Sequence, residues 1–323
     1  GRSGSCGSSD FSAYPWLYLR GGEPPTPADR AVEVVAVGDV MLGRGLADEP
    51  QPFATIGSWL RNADVALGNL ECVISGSSPT HASGESPFPA PLRADPSVTA
   101  NLRWVGFDLL SLANNHALDL GSEGLGETVS RLETAGIAPF GAGVDPAAAF
   151  QPVTYNVDGV RLAFLAFNAV PDGRDAANWV RADWDPERAA AAVSAAGDEA
   201  NAVIVSVHWG YEYQTRVDPS QRRAARSLLQ AGADLVIGHH PHVVQTFEAW
   251  DGRGVCYSLG NFVFDQEQGE TGLGLALRAF FDEDGLLAVQ ALPIWAGRRP
   301  RLATASEARS LVARMEGPPR RAA

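Results

Sequence analysis

Ala233-Asp234-Leu235-Val236-Ile237-Gly238-His239-His240-Pro241-His242-Val243-Val244-Gln245 carries three of the six histidines in a chain of 323 residues. The apolar run Leu235 to Ile237 predicts a short buried strand, and Gly238 then lets the chain turn while three imidazoles leave its carboxyl end. Strand ends are where α/β proteins keep their chemistry. His240 and His242 stand two residues apart, so in extended backbone they project to one side, stiffened by Pro241 between them. That is a metal-ligand arrangement. His116 and His208 also follow apolar strand-like runs, and Asp39, Glu71 and Asn115 hold similar positions. A lone histidine at a strand end usually satisfies buried backbone groups. Imidazoles and carboxylates gathered at several strand ends are instead the pattern of a metal or catalytic site.

Outward from this stretch, a helix is expected over residues 221–230. Before it, the run Val203 to His208 leads into Trp209-Gly210-Tyr211-Glu212-Tyr213. Further back, residues 32–39, 65–71 and 107–112 are strand-like runs that end in polar groups, with helices expected at 53–61, 123–134 and 186–196. Gly38 permits a tight exit that aims the Asp39 carboxylate into a shared cleft. Asp158-Gly159, between runs 152–157 and 160–167, is a hairpin signal, which makes the sheets mixed. Downstream, 243–247, 255–259, 273–280 and 286–292, separated by Asp251-Gly252 and Asp284-Gly285, predict antiparallel strands. A βαβ first half and a hairpin second half imply an α/β fold of two stacked mixed sheets with helices outside. Residues 75–96 lack periodicity and read as a loop over the site, with His81 a solvated loop residue.

A hydrophobic content of 45% is ample for a core. One main domain over 31–297 is expected, preceded by a tail and linker at 1–30 and followed by a partly helical tail at 298–323. The net charge of -13 argues against a nucleic-acid partner, because no excess of cations displaces counterions from phosphates. Cys6, Cys72 and Cys256 show no CxxC spacing, and a Cys6 to Cys72 disulfide is compatible with a location outside the cytoplasm. No run in the chain approaches the length of a membrane-spanning helix. Gly1 to Asp10 lacks the charged and apolar regions of a signal peptide and reads as a processed or engineered end. In Tyr14-Pro15-Trp16-Leu17-Tyr18-Leu19, large aromatics beside two leucines predict a piece that docks as an edge strand or packs on another subunit. Residues 21–27, with three prolines, then form a linker.

Several motifs carry a resemblance, running in order from about residue 33 to 265. Val37-Gly38-Asp39-Val40-Met41-Leu42-Gly43-Arg44, Gly68-Asn69-Leu70-Glu71 and Ser111-Leu112-Ala113-Asn114-Asn115-His116 come first. Val207-His208-Trp209-Gly210, Gly238-His239-His240-Pro241-His242 and Tyr257-Ser258-Leu259-Gly260-Asn261-Phe262 follow. Together they resemble the CapA family, named for poly-γ-glutamate capsule synthesis and related to calcineurin-like metallophosphoesterases. The resemblance implies a four-layer α/β/β/α sandwich with a metal site at the strand ends. Asp39 matches the first metal carboxylate, Asn115 and His116 the Asn-His motif, His208 the lone histidine ligand, and His240 with His242 the closing His-x-His. Metallophosphoesterases usually have a histidine where this chain has Met41, and a bridging aspartate where it has Asn69 or Glu71.

Such a donor set, with Glu71 included, favours one or two ions of Mn, Zn or Fe, while Ca or Mg is also compatible. The metal would activate water and polarise an electrophile. His116 is then the candidate general acid or base, or else a group that orients Asp39. Arg44 is a candidate clamp for a substrate carboxylate or phosphate, or else a structural salt bridge. Asn69, His239, Trp209, Tyr211 and Glu212 complete the candidate substrate contacts, with packing as the other reading of the aromatics.

The function implied is a metal-dependent enzyme at the cell envelope or surface. It would act on an amide-linked polycarboxylate or peptide in poly-γ-glutamate synthesis, export or anchoring, beside membrane-bound synthesis partners. Peptide Cα epimerisation, with His116 or Asp39 as base, and phosphoester hydrolysis are the alternative reactions. A different class of reading is an extracellular assembly component with a vestigial site, self-associating through Tyr14 to Leu19.

Overall fold

The computed structural model describes residues 14–26, 30–46, 49, 51–77, 90–174, 176 and 178–315. Gly1 to Asp10, Cys6 and His81 lie outside the described residues. Two large sheets carry the chain. The main path of the first, which has nine strands, runs Trp16–Leu19, Gly285–Trp295, Leu273–Asp282, Val32–Val40, Val65–Leu70, Leu109–Ser111 and Ala138–Phe140. The last four of these are mutually parallel, and the others join antiparallel. The second sheet, of six strands, runs Phe247–Trp250, Arg253–Cys256, Leu235–His239, Ala202–His208, Val160–Asn168 and Val153–Val157. Its four inner strands are parallel, and both edges are antiparallel, one of them added by the Asp158-Gly159 hairpin.

Alternating side chains of each strand feed different cores, as the period of two requires. Val34, Ala36, Leu67 and Leu109 of the first sheet meet Leu162, Phe164, Ile204 and Ile237 of the second. Val35, Val37 and Leu110, on the opposite face, pack with Leu60, Leu102, Leu125 and Val129 from the helices Gly57–Asn62, Val98–Val105 and Gly121–Thr134. Leu165, Val205 and Val236 pack with Val193 and Leu228 from Pro186–Gly197 and Pro219–Ala231. The latter helix opens on a capping box of Asp218 and Gln221, with Pro219 in its first turn.

Between the sheets runs the segment Tyr257 to Asn261, and it explains several glycines. Gly260 O accepts from Asp39 N at 3.0 Å, Leu259 N donates to Gly238 O at 3.1 Å, and Leu259 O accepts from Leu275 N at 2.8 Å. A Cβ on Gly38 would lie 2.0 Å from Gly260 O, and one on Gly238 would lie 2.0 Å from Tyr257 O. Neither glycine has a positive φ. Both therefore serve close backbone approach within a strand, and the turn expected at Gly238 falls later, at the histidines themselves.

Other expectations shift. The helix expected over 53–61 begins only at Gly57, after a run of turns. Val98–Val105, unanticipated, ends on Gly106 in the left-handed region at φ 101°. Of the expected strand over 243–247, residues 243–246 form only a single bridge, from Val244 to Leu259; the edge strand is Phe247–Trp250. Arg253–Cys256 pairs antiparallel with that edge but parallel with Leu235–His239, so the second half is not purely antiparallel. Trp16–Leu19 docks as an edge strand within its own chain, with the Trp16 ring 5.8 Å from that of Phe280. Beyond residue 297 the chain stays on the fold, since Arg301–Leu302 pairs with Gly285–Trp295 and Leu311 is buried in the inter-sheet core. Cys72 is a buried thiol whose pKa burial pushes up to about 12, and the Cys6 half of the possible Cys6 to Cys72 bond lies outside the described residues. Among the described residues, no helix is long and apolar enough to cross a membrane.

Candidate metal centre

Parallel register brings the chemistry together. Asp39 pairs with Asn69 and Asn69 with Ser111 at one end of the first sheet; His208 pairs with His239 at the corresponding end of the second. Glu71 is one residue past its strand, and its backbone N donates to Val40 O at 2.9 Å. His240 and His242 are not in extended backbone; their φ values are 95° and 56°. A side chain in that region costs on the order of 1–3 kcal/mol, and the surrounding bonds hold it there, among them Tyr213 N to Pro241 O at 2.8 Å. Both rings nevertheless reach one place, with centroids 6.1 Å apart, and His240 lies 4.8 Å from His208.

Glu71 and Asp39 are the centre of the cluster, and both are fully buried. Glu71 Oε1 lies 3.7 Å from His242 Nε2, 3.8 Å from His208 Nε2 and 4.0 Å from His116 Nε2. Asp39 Oδ1 accepts from Asn69 Nδ2 at 2.9 Å and has His239 Nδ1 at 3.2 Å; its Oδ2 is 3.4 Å from His242 Nδ1. His208 Nε2 lies 2.8 Å from Asn115 Oδ1 and its Nδ1 lies 3.3 Å from Asn69 Nδ2. Two triads of ligand atoms result, Glu71 with His240 and His242, and Asp39 with Glu71 and His208, the atoms of each lying within 4.8 Å of one another. Both Glu71 oxygens, Asp39 Oδ2 and His240 Nδ1 are buried without a hydrogen-bond partner. Buried polar atoms are rarely left so, because each costs on the order of 1–3 kcal/mol. A mixed nitrogen and oxygen donor set with unspent lone pairs fits a divalent transition metal.

Burial and neighbouring charge shift the protonation of the whole cluster. Burial pushes the Glu71 carboxyl well above its usual range, and the adjacent charge of Asp39 adds to the effect. For Asp39 burial acts upward too, but the His239 and His242 imidazoles against it win and hold it well below the usual range. Burial would lower His242, yet the adjacent charges of Glu71 and Asp39 raise it to about 9. His240 falls to about 4 through burial and the charge of His242, and His208 falls well below its ordinary value through burial and His240. Burial and neighbouring charge thus push adjacent groups apart, as in functional clusters.

His116 stands on the open side. Its Nδ1 is 2.9 Å from Asp119 Oδ2, while Asn69 and His239, rather than His116, lie against Asp39. Asp119 is held in turn by Leu92 N at 2.6 Å and Arg174 Nη2 at 3.0 Å. Asp172 joins that arginine to the buried Arg181, which it receives through two bonds of 2.6 and 2.7 Å. Asn69 and His239 are buried and position Asp39, so direct substrate contact does not suit them. Trp209 is likewise in the core, stacked on Tyr257 and donating Nε1 to its carbonyl at 2.8 Å. Tyr211 is exposed, and Glu212 acts on the site through its charge on Glu71. Arg44 pairs with Asp265 at 2.7 Å and lies 5.6 Å from the Phe264 ring, which itself packs 4.9 Å from His242. It is therefore on the rim, with the salt bridge made.

Sequence reasoning missed Asn114, Asp119, Arg174, Tyr213 and Asn261 as site groups. Asn114 Nδ2 donates to Asn69 Oδ1 at 3.2 Å, and the Tyr213 ring lies 6.0 Å from that of His242. Asp119 stands three residues after His116, a spacing that could have signalled a turn-borne partner. Arg174 gives no such signal, being 58 positions away in an irregular stretch.

Fold and site define an α/β protein with a buried cluster of carboxylates and imidazoles of metal-ligand type. The chain belongs to the bacterial capsule synthesis protein PGA_cap family, whose model matches residues 33–266. It is 31% identical over 272 residues to the capsule biosynthesis protein CapA of Bacillus anthracis, covering 80% of this chain and 66% of that one. The PGA biosynthesis protein CapA of Bacillus subtilis strain 168 is also 31% identical, over 78% of this chain and 69% of its own length. The chain thus spans about two-thirds of the length of these relatives. In fold it is similar to a hypothetical protein from Thermus thermophilus, with a TM-score of 0.50 at 17% identity, covering 81% of this chain and 98% of that one.

Proposed function

We propose that this chain is a metal-dependent enzyme of poly-γ-glutamate synthesis, export or anchoring at the cell envelope, acting on an amide-linked polycarboxylate or peptide. The observation that carries the reading is the pair of overlapping ligand triads centred on Glu71, whose buried oxygens have no hydrogen-bond partner. The capsule and PGA biosynthesis relatives supply the substrate class. Asp39, Glu71, His208, His240 and His242 would hold one or two divalent ions, with Asn115 beside them. A bound ion supplies Lewis acidity toward the carbonyl and toward water. Asp119 accepts at Nδ1 of His116, which leaves Nε2 as the atom that takes up or delivers a proton. Arg44 on the rim is suited to hold a substrate carboxylate in exchange for Asp265. Three apolar cores, one between the sheets and two under helices, support a helix–sheet–sheet–helix layering.

Elemental analysis of protein purified without chelator, beside His240→Ala/His242→Ala, tests this. Stoichiometric metal in the parent and its loss in the variant are expected. Parent protein that stays metal-free after supplementation with manganese, zinc and iron would refute it.

A further inference from the structure

The side chain of Asn261 lies outside both triads, yet it touches one of their members. Its Oδ1 is 2.9 Å from His242 Nδ1, and its Nδ2 donates to Thr271 O at 3.2 Å. The Thr271 carbonyl fixes which end of the amide faces the imidazole, because only the NH2 end can donate to it. Asn261 Oδ1 must then accept, so His242 carries a hydrogen on Nδ1. The other neighbour of Nδ1, Asp39 Oδ2 at 3.4 Å, is also an acceptor. Every group facing Nδ1 therefore calls for N–H, and the lone pair available to a cation is on Nε2, the atom 3.7 Å from Glu71 Oε1.

The main chain makes the arrangement rigid. Asn261 pairs in parallel register with Asp39, and a Cβ on Gly274 would lie 1.9 Å from Asn261 O. That absent Cβ is what lets the strand beginning at Leu273 approach so closely. Asp39, which carries ligand atoms, and Asn261, which orients His242, are thus paired neighbours in the first sheet.

We propose that Asn261 is a positioning residue for metal, fixing His242 with Nε2 toward the Glu71–His240–His242 triad and so setting the affinity of that triad. The inference rests on the metal-binding reading above and goes beyond it by assigning a residue that is no ligand. Partners of this kind typically contribute about 10–100-fold in metal affinity.

The test is zinc titration by calorimetry of the full chain, parent against Asn261→Ala and Asn261→Asp, with circular dichroism of the metal-free proteins as the check on folding. The alanine variant is expected to bind one zinc about 10–100-fold more weakly. The aspartate variant, which keeps an acceptor facing Nδ1, is expected to bind at least as tightly as the parent. Equal zinc affinity in parent and alanine variant would overturn the inference while leaving the metal reading intact; a parent that binds none of zinc, manganese and iron would overturn both. Should the alanine variant fail to fold, long-range 1H–15N spectra of zinc-loaded parent protein decide. His242 bound through Nε2 with a protonated Nδ1 supports the inference, and binding through Nδ1 overturns it.

Discussion

Glu71 and His242 lie 3.7 Å apart and titrate as a pair, and a cation bound between them would displace a proton. The raised pKa of His242, about 9 against 6.5 for the free side chain, gives the metal-free fold stability that is complete below 6.5 and is lost as pH rises through 9. Glu71, also raised, acts in the same direction, losing its contribution as pH rises through its folded pKa. Asp39 is lowered, so its contribution is present above its ordinary value of 3.8 and is lost only on acidification. Metal-free stability should therefore fall between pH 6.5 and 9. Metal binding runs the other way, because it requires loss of those protons; affinity gains about tenfold per pH unit for each proton released. The difference in melting temperature with and without manganese is thus expected to widen from pH 6.5 to 9, read by scanning fluorimetry. A difference that stays flat or narrows would count against cation binding by these groups. At His116, which faces the site without belonging to a triad, His116→Gln is expected to lower kcat on a polyglutamate substrate by about 10²–10⁴-fold, with metal content unchanged. Lost metal together with lost activity would place His116 among the ligands instead.

Among the elements, the tightest constraint is the passage of Tyr257 to Asn261 between the sheets. Gly238→Ala would set a Cβ 2.0 Å from Tyr257 O and 2.5 Å from Trp209 Nε1, neither of which is the loose end of a flexible chain. Overpacking of this sort typically costs about 1–3 kcal/mol. Urea denaturation should show at least that loss, together with weaker metal binding, because His239 to His242 follow directly. A variant as stable as the parent would mean that this crossing can relax. The same crossing marks the limit of what the sequence discloses. Strand ends such as Asp39, His208 and His239 were legible because apolar runs stop there and a period of two places the next side chain. The Asp158-Gly159 hairpin was legible for a similar local reason. The backbone reversal at His240 and His242 was not, since positive φ at non-glycine residues is imposed by tertiary bonds such as Tyr213 N to Pro241 O. Nor was the link from Arg174 to Asp119, which joins residues far apart in the chain.

Across the whole molecule, two features work against association: a net charge of -13, and the way the first sheet ends. The strand Gly285–Trp295 is long and almost wholly apolar, and Trp16–Leu19 covers the middle of its outer edge, pairing at Ala288 to Gln290. Beyond that pairing, residues 301–303 cover only Pro293 to Trp295. Removal of residues 1–20 would leave the backbone of that middle stretch unpaired, and an uncovered apolar edge is a template for pairing with another chain. Like charge opposes such pairing over about 10 Å at 0.1 M salt and over only about 3 Å at 1 M. The truncated chain is therefore expected to associate, and to do so at lower protein concentration as salt rises, by light scattering across an ionic-strength series. The intact chain should show no such dependence. If Trp16–Leu19 instead mediated self-association, truncation would make the particle smaller, the opposite sign. A truncated chain of unchanged size at every salt concentration would dismiss both roles, and the strand would then add only local packing, such as that of Trp16 on Phe280.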